Sequence, residues 1–244
     1  MPIREQPVVA LVEEISKADL VEQLMSAPPF RGRTRPVETL YEPYSSKARR
    51  TMYVYGVSYN LWATLEWDRT VEALNERPPS IDLPLHSGTI GRTTPMAVTR
   101  NVDGTVAIHV IARQRELSDA DPASGIKELQ EWSDRLSLVL VVWTAEKLAA
   151  NPIYLENKKR LLRYCCAPTP RFPQATHRVV MAALRSKRYV TIDGLLSMLP
   201  SVDADEAIAV VAAELREGRC HSDIEHYDLD YATTLSVHHE VGKR

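Results

Sequence analysis

A β-hairpin predicted near the middle of the chain restricts the possible folds more than any other segment. Residues 93–98 (TTPMAV) and 106–111 (VAIHVI) are largely apolar, and Asp103-Gly104 between them is typical of a turn. We therefore predict paired strands over 96–99 and 106–111. A further strand is predicted over 138–143 (LVLVVW), because this run is rich in β-branched residues and carries no charge.

Helical patterns surround these strands. Apolar residues recur at helical spacing over 8–25, and helices are also predicted over 59–72, 126–134 and 157–164, with a short strand over 81–85. The order of helix, strands, helix, strand and helix predicts a mixed α/β domain.

The pattern changes after three closely spaced prolines, Pro168, Pro170 and Pro173, which mark a domain boundary. Helices are predicted over 175–186, 191–199 and 201–217, the last ending at Gly218. Two short strands over 219–221 and 231–237 follow. Three helices and a hairpin predict a winged helix, a variant of the helix-turn-helix.

Composition narrows the class of protein. Of 244 residues, 44% are hydrophobic and 25% are charged, which is ordinary for a globular protein, and the net charge of −2 argues against a chain that coats nucleic acid. Three cysteines do not make a disulfide framework, and the first residues lack the apolar run of a signal peptide. We expect a reducing cytoplasm.

Local clusters of cations could still contact DNA phosphates, which arginine matches in geometry. Three segments carry such clusters: a proline-rich arm, the helix over 157–164 and the exit of the helix over 175–186. The predicted DNA-binding residues are Arg31, Arg33, Arg35, Lys47, Arg49, Arg50, Lys158, Lys159, Arg160, Arg163, Arg185, Lys187 and Arg188. The third helix of the winged helix is instead acidic, so we expect it to bind protein, or to touch DNA by another face.

Several stretches, in the same order, resemble TnsA, the endonuclease subunit of heteromeric cut-and-paste transposases. LEWDRTV at 65–71 with NERP at 75–78 resembles its "LEFD-x-x-V…EEQP", and TPM at 94–96 resembles its "TPDF". VAIHVI at 106–111 resembles "VLVEVK", NP at 151–152 with NKKRLLRY at 157–164 resembles "NP…N…LLRY", and GRCHSD at 218–223 resembles "GxxxxD". The resemblance covers residues 45–239. It implies an α/β fold with a restriction-endonuclease-like domain followed by a winged-helix domain.

The resemblance also implies where the family's catalytic residues would lie. The helical Glu falls near Ser58, the Asp of "PD" on Met96, the acid or Gln on His109, and the Lys on Ile111. Carboxylates hold the metal ions of such enzymes, and the Lys positions or polarises the attacking water. None of these catalytic residue types is present at the matching positions of this chain. We predict a degenerate site with no catalytic residues, no metal and no cofactor.

Shifts in register do not restore the set. Glu66 could replace Ser58, and a slip of two residues would bring in Arg113, but Met96 would remain. The nearest spare acids are Asp82 and Asp103, and Asp103 sits where a turn favours Asp. His109 on an apolar strand is expected to be a hydrogen-bonded, buried residue. No cysteine or histidine spacing suits zinc, and no glycine-rich loop suits a nucleotide.

We therefore predict a catalytically inactive TnsA-like subunit of a DNA transposition complex in a bacterial cytoplasm. Its implied partners are a DDE-type transposase, an AAA+ ATPase regulator and transposon-end DNA, with no membrane. The predicted domains are an N-terminal helix and basic arm (1–50), the degenerate nuclease-like domain (51–167) and the winged helix (168–244). Two alternatives stay open. One is a magnesium-dependent DNA endonuclease with a migrated site, using Glu66 or Asp68 with Asp103. The other is a winged-helix DNA-binding regulator outside transposition.

Overall fold

The computed structural model describes residues 8–9, 16–26, 40–84, 90–113, 117, 125–167 and 172–237. The described chain is mixed α/β, with helices and several small sheets. Its helices are α1 (Lys17–Met25), α2 (Gly56–Trp67), α3 (Ile126–Arg135), α4 (Ala145–Leu148), α5 (Pro152–Cys165), α6 (Gln174–Arg185), α7 (Ile192–Met198) and α8 (Ala204–Arg216). Its strands are β1 (Val8–Val9), β2 (Leu40–Tyr41), β3 (Tyr44–Ser45), β4 (Arg50–Thr51), β5 (Val54–Tyr55), β6 (Val71–Asn75), β7 (Ser80–Pro84), β8 (Ile90–Thr93), β9 (Ala97–Asn101), β10 (Val106–Ile111), β11 (Val139–Trp143), β12 (Val190–Thr191), β13 (Cys220–Ser222) and β14 (Thr234–Val237).

The chain divides into two compact units that are each built from several segments. The first comprises residues 1–42, 52–62 and 70–148, and the second comprises 43–51, 63–69 and 149–244. Helix α2 contributes its first part to one unit and its last part to the other. Helix α5 belongs to the second unit, where it packs against α8. This division does not coincide with the predicted boundaries after residues 50 and 167.

A four-stranded sheet in the order β11-β10-β9-β6 forms the centre of the first unit. β9 pairs antiparallel with β10 and β6, whereas β10 and β11 run parallel, joined through α3. Val98 and Ile108 from one face of this sheet pack with Leu24 of α1 and Trp132 of α3 in a buried apolar core. The predicted hairpin and the helix over 126–134 are confirmed, the latter with its end one residue later.

Two predicted helices of the first unit extend too far. Val8 and Val9 form a parallel strand with Ser80 and Ile81, so the helical prediction over 8–25 is wrong at its start. The helix predicted over 59–72 ends at Trp67, and Val71 begins β6. In both places sheet pairing outweighs a local helical spacing, because β-branched residues suit a strand whenever a partner strand is available.

Much of helix α8 is buried within the second unit. The side of α8 from Ala207 to Leu215 is buried almost throughout, and the helix packs against both α5 and α6. A small antiparallel sheet in the order β12-β14-β13 completes the unit, with β12 lying between α6 and α7 in sequence. The three predicted C-terminal helices and two strands are therefore present, and β12 was not predicted. None of the described helices has the length and apolar character needed to cross a membrane.

Candidate functional site

The hairpin brings three of the four predicted degenerate positions, Met96, His109 and Ile111, to one end of the first unit's sheet. The Met96 amide donates to the carbonyl of His109 at 2.8 Å, and Ala97 pairs with His109 across the two strands. His109 and Ile111 are two residues apart on β10 and therefore point to the same face. The Met96 side chain is 38% exposed and His109 is buried.

His109 is held in one neutral form by two hydrogen bonds. The Trp143 indole N–H donates to His109 Nδ1 at 3.1 Å, so this nitrogen carries no proton. Nε2 then carries the hydrogen and donates to Thr99 Oγ1 at 2.9 Å. The prediction of a hydrogen-bonded, buried histidine is confirmed. Both ring nitrogens are engaged, so neither is open to a metal ion.

Ser58 near the start of α2 serves the local backbone. Its Oγ donates to the Tyr55 carbonyl at 2.6 Å and accepts from the Tyr55 amide at 2.8 Å. On the hairpin, the Met96 thioether, the Ile111 hydrocarbon and the engaged His109 ring are poor ligands for magnesium, which prefers several oxygen ligands. These positions do not fit the ion that the resemblance implies. In the parts of the chain that the structure describes, no three His, Cys, Asp or Glu side chains gather in a metal-binding group.

The spare acids of the first unit are engaged in local structure. Asp103 Oδ1 accepts from the Thr105 amide at 2.9 Å and its hydroxyl at 2.7 Å, and the backbone bond is the main reason that the pKa of Asp103 is lowered. This is the turn role that the sequence predicted. Asp82 pairs with Arg92 at 2.8 Å across β7 and β8.

Glu66 lies in a buried polar cluster of the second unit. Its Oε1 accepts from Ser46 Oγ at 2.6 Å and from Arg216 Nη2 at 2.9 Å, while Oε2 accepts from Ser45 Oγ at 2.6 Å. The Cys166 thiol also donates to Oε1 at 3.5 Å. The Glu66 side chain is fully buried, and the donors to its carboxylate are therefore protein groups. Sequence reasoning considered Glu66 only as a metal ligand and did not find this cluster.

Four of the predicted DNA-binding cations, Lys47, Arg50, Lys158 and Lys159, are partly or fully buried in the second unit. Lys47 donates to the carbonyls of Leu65 and Asp68 at the end of α2, and burial lowers its pKa to about 8. Lys158 lies 3.8 Å from the centroid of the Tyr154 ring. Lys159 is buried and pairs with Glu156 at 2.6 Å, and Arg50 is half-buried.

The remaining predicted cations that the structure describes are exposed. Arg49 lies in the turn between β3 and β4 with a φ of 54°, which is uncommon for a residue other than glycine. Arg185, Lys187 and Arg188 form what we call the basic turn, between α6 and β12. The Arg188 guanidinium lies 5.4 Å from the ring centroid of Tyr189, which is 61% exposed and was not predicted. Arg31, Arg33 and Arg35 lie outside the described residues.

Arg160 and Arg163 line a cleft of about 490 Å³ in the second unit, together with the acids Asp205 and Asp230. The cleft joins α5 to the start of α8 and to the loop that precedes β14. Sequence reasoning grouped these two arginines with the other basic residues of α5. The signal that separates them is their spacing of three, which places both on one face of the helix.

The exposed part of α8 is acidic, as the sequence predicted. Its first turn carries Asp205 and Glu206, and Asp203 caps it by accepting from the Glu206 amide at 3.1 Å. The loop between β13 and β14 is also acidic and is bound to α5: Asn157 Nδ2 donates to the carbonyls of Ile224 at 2.9 Å and Tyr227 at 2.7 Å. Neither element offers a basic surface to a DNA groove.

Comparison with known proteins adds no assignment, because no family model and no curated protein matches this chain.

Proposed function

We propose that this chain is a catalytically silent, TnsA-like subunit of a DNA transposition complex that binds transposon-end DNA and bridges a DDE-type transposase and an AAA+ regulator. Its α/β fold would comprise a restriction-endonuclease-like domain and a winged helix. In support, β9 and β10 form a hairpin that is followed by α3 and β11, and α6, α7 and α8 accompany a three-stranded antiparallel sheet.

The observation that carries the proposal is the chemistry at the open end of the hairpin. A nuclease of this kind needs carboxylate oxygens there to hold its metal ion. Met96 and Ile111 offer none, and His109 is neutral and hydrogen-bonded to Thr99 and Trp143. A hairpin at the place where the resemblance puts the site, but without metal-binding side chains, favours a subunit that has lost cleavage.

In the migrated-site alternative that uses Glu66, this residue would have to leave its cluster. Its carboxylate accepts bonds from Ser45, Ser46 and Arg216, and a metal ion would have to displace these donors from a buried position. The regulator alternative would require a helix able to enter the major groove. The buried length of α8 and its acidic first turn argue against that role.

Metal binding is the direct test of silence. Manganese is titrated calorimetrically into the native chain and into a variant carrying Met96→Asp, His109→Glu and Ile111→Lys. We expect no binding by the native chain. The single variant His109→Glu is the folding control for the triple variant. It shows whether a carboxylate beside the Trp143 indole disturbs folding by itself. Stoichiometric binding by the native chain that is lost in Asp103→Asn or Glu66→Gln would reject the proposal in favour of an enzyme.

The basic turn is the best candidate for DNA contact. The affinity for a 30-bp duplex of arbitrary sequence is measured as a function of salt concentration. Replacing Arg185, Lys187 and Arg188 with alanine should make the slope of log K against log salt concentration less steep by about 2–3, because each phosphate contact contributes about 0.9 to its magnitude. A control variant with Lys17, Lys127 and Arg135 replaced by alanine changes the net charge equally on the first unit. Equal slopes for the two triple variants would show that the basic turn has no special role.

The transposition role predicts a particular product. If a transposase and an ATPase encoded beside this gene are combined with the chain, the non-transferred strand should stay uncut. The element should then form cointegrates that keep the donor backbone. Clean excision with both strands cut by these three proteins alone would contradict the proposed silent role.

A further inference from the structure

The strongest feature outside the hairpin is the cleft of about 490 Å³ in the second unit. Its lining residues come from α5, the start of α7, the start of α8 and the loop before β14. They are Arg160, Arg163, Tyr164, Ile192, Asp205, Ile208, Leu229, Asp230 and Tyr231. Such a volume suits a small molecule or a few residues of a peptide.

The cleft is lined by both apolar and charged residues. Ile192 is buried, and Ile208 and Leu229 are half-buried, so apolar surface faces the opening. Arg163 and Asp205 both line the cleft and are exposed, and neither forms an ion pair with any residue that the structure describes. Charges left without a partner in a concave site are available to a ligand that carries the opposite charges.

The loop that closes the cleft is fixed in place before any ligand arrives. The Leu229 amide donates to Asn157 Oδ1 at 2.9 Å, and Arg160 Nη1 donates to the Leu229 carbonyl at 3.4 Å. On the other side, the Asp193 amide donates to the Tyr231 carbonyl at 2.9 Å. A preformed cleft loses little entropy when a ligand binds, which favours affinity.

The charges around the cleft select against DNA. Asp205 and Asp230 are part of the lining, and the exposed acids Glu225 and Asp228 belong to the same loop as Asp230. A phosphate backbone drawn to the two arginines would meet these carboxylates and be repelled. A peptide, by contrast, can carry both charges and an apolar side chain within a few residues. Tyr231, 63% exposed at the rim, is a residue type enriched at protein interfaces.

We infer that this cleft binds a short extended segment of a partner protein and does not contact DNA. The segment would place an apolar side chain on Ile208 and Leu229, an acidic side chain on Arg160 and Arg163, and a basic side chain on Asp205. This assignment goes beyond the proposed function, because it locates a protein-docking site and removes two arginines from the predicted DNA surface.

Peptide selection tests the inference even though the partner protein is not identified. A displayed library of random 12-residue peptides is panned on the immobilised full chain. We expect enriched sequences with an apolar residue flanked by one acidic and one basic residue. Panning on Arg160→Glu/Arg163→Glu should exchange the acidic preference for a basic one, and the best native peptide should lose at least about tenfold in affinity.

The matched control is Arg185→Glu/Lys187→Glu, which changes the net charge equally at the basic turn. It should leave the affinity of the selected peptide within about twofold. Failure to enrich any peptide, or a selected set that does not respond to charge reversal at Arg160 and Arg163, would overturn the inference.

DNA binding separates this inference from the proposed function. Arg160→Ala/Arg163→Ala should leave the salt slope for a 30-bp duplex unchanged. A slope lowered by about 2 would mean that the cleft contacts phosphate, and would overturn the peptide assignment while supporting DNA binding by the chain. If the native chain selects no peptide while its DNA binding is intact, only the docking site would be rejected.

Discussion

Replacing Arg216 with methionine should destabilise the second unit more than any surface change. The Arg216 guanidinium donates to the Glu66 carboxylate at 2.9 Å, to the Glu66 backbone carbonyl at 3.0 Å and to Ser46 Oγ at 2.8 Å. Without it, Glu66, which is fully buried in the native structure, keeps only the bonds from the Ser45 and Ser46 hydroxyls, the Ser46 amide and the Cys166 thiol. A buried carboxylate would then lack the cation that is hydrogen-bonded to it.

The expected size follows from the burial of the pair. Removing one partner of a buried ion pair costs about 3–5 kcal/mol of unfolding free energy. The Arg216 side chain keeps 13% of its exposure, so water can reach the vacated space and the loss should lie near 3 kcal/mol, the lower end of that range. With a urea dependence of about 2 kcal/mol per molar, the midpoint should fall by about 1.5 M.

Urea unfolding followed by circular dichroism and tryptophan fluorescence measures this shift, with the transition of the second unit treated separately. Arg178→Met, an exposed change on α6, should stay within about 0.5 kcal/mol of the native chain. Glu66→Gln/Arg216→Met should be less destabilised than the sum of its single variants, by about 2 kcal/mol. A midpoint for Arg216→Met within about 0.3 M of native, or strict additivity in the cycle, would refute the buried-pair reasoning.

Three further outcomes follow from the same contacts. Burial lowers the pKa of Lys47 from 10.5 to about 8, so the unfolded chain binds more protons than the folded chain between these two pH values. The free energy of unfolding, relative to that of Lys47→Met, should therefore rise with pH across this window by up to about 3 kcal/mol. Below pH 8 this difference should be constant. Asn157→Ala should cost about 2–4 kcal/mol and speed amide exchange at Leu229, because three buried bonds to the loop are lost. His109→Leu should cost about 2–3 kcal/mol in thermal unfolding by leaving the Trp143 indole and the Thr99 hydroxyl without this partner, and His109→Gln should recover part of the loss.

The Lys47 and Asn157 predictions can each be checked against a control measurement on the same variant. A difference between native chain and Lys47→Met that does not change between pH 8 and pH 10 would contradict the burial argument. For Asn157, exchange at His109 in the first unit should stay unchanged, since that unit does not contain the affected loop. Faster exchange in both units would indicate general destabilisation instead.

The secondary structure was largely predictable because periodicity reports burial directly. The hairpin, α3 and the three C-terminal helices lie within a few residues of their predicted positions. The errors fall where the partner is distant in sequence. Val8 and Val9 pair with β7, and Val71 pairs with Asn101 on β9, and no local pattern indicates a partner strand.

The environment of individual side chains was predicted for some residues and missed for others, for a related reason. His109 was expected to be a hydrogen-bonded buried residue, because an apolar strand leaves few other roles, but its donor Trp143 lies 34 residues away. Lys47 was grouped with neighbouring cations along the sequence. Its contacts with the end of α2 depend on how the chain folds back, so charge spacing alone could not reveal them.

By itself, the sequence determined most of the helices, the central hairpin and the side chains at its end, since these depend on local periodicity and residue type. Only the tertiary structure decided which charges are engaged: it buries Glu66 against Arg216, binds Lys47 to helix carbonyls and leaves Arg163 and Asp205 facing a cleft. The physical reason is that the energy of a charge depends on its solvation and on the distance to its partners. Those distances exist only after segments far apart in sequence have packed together.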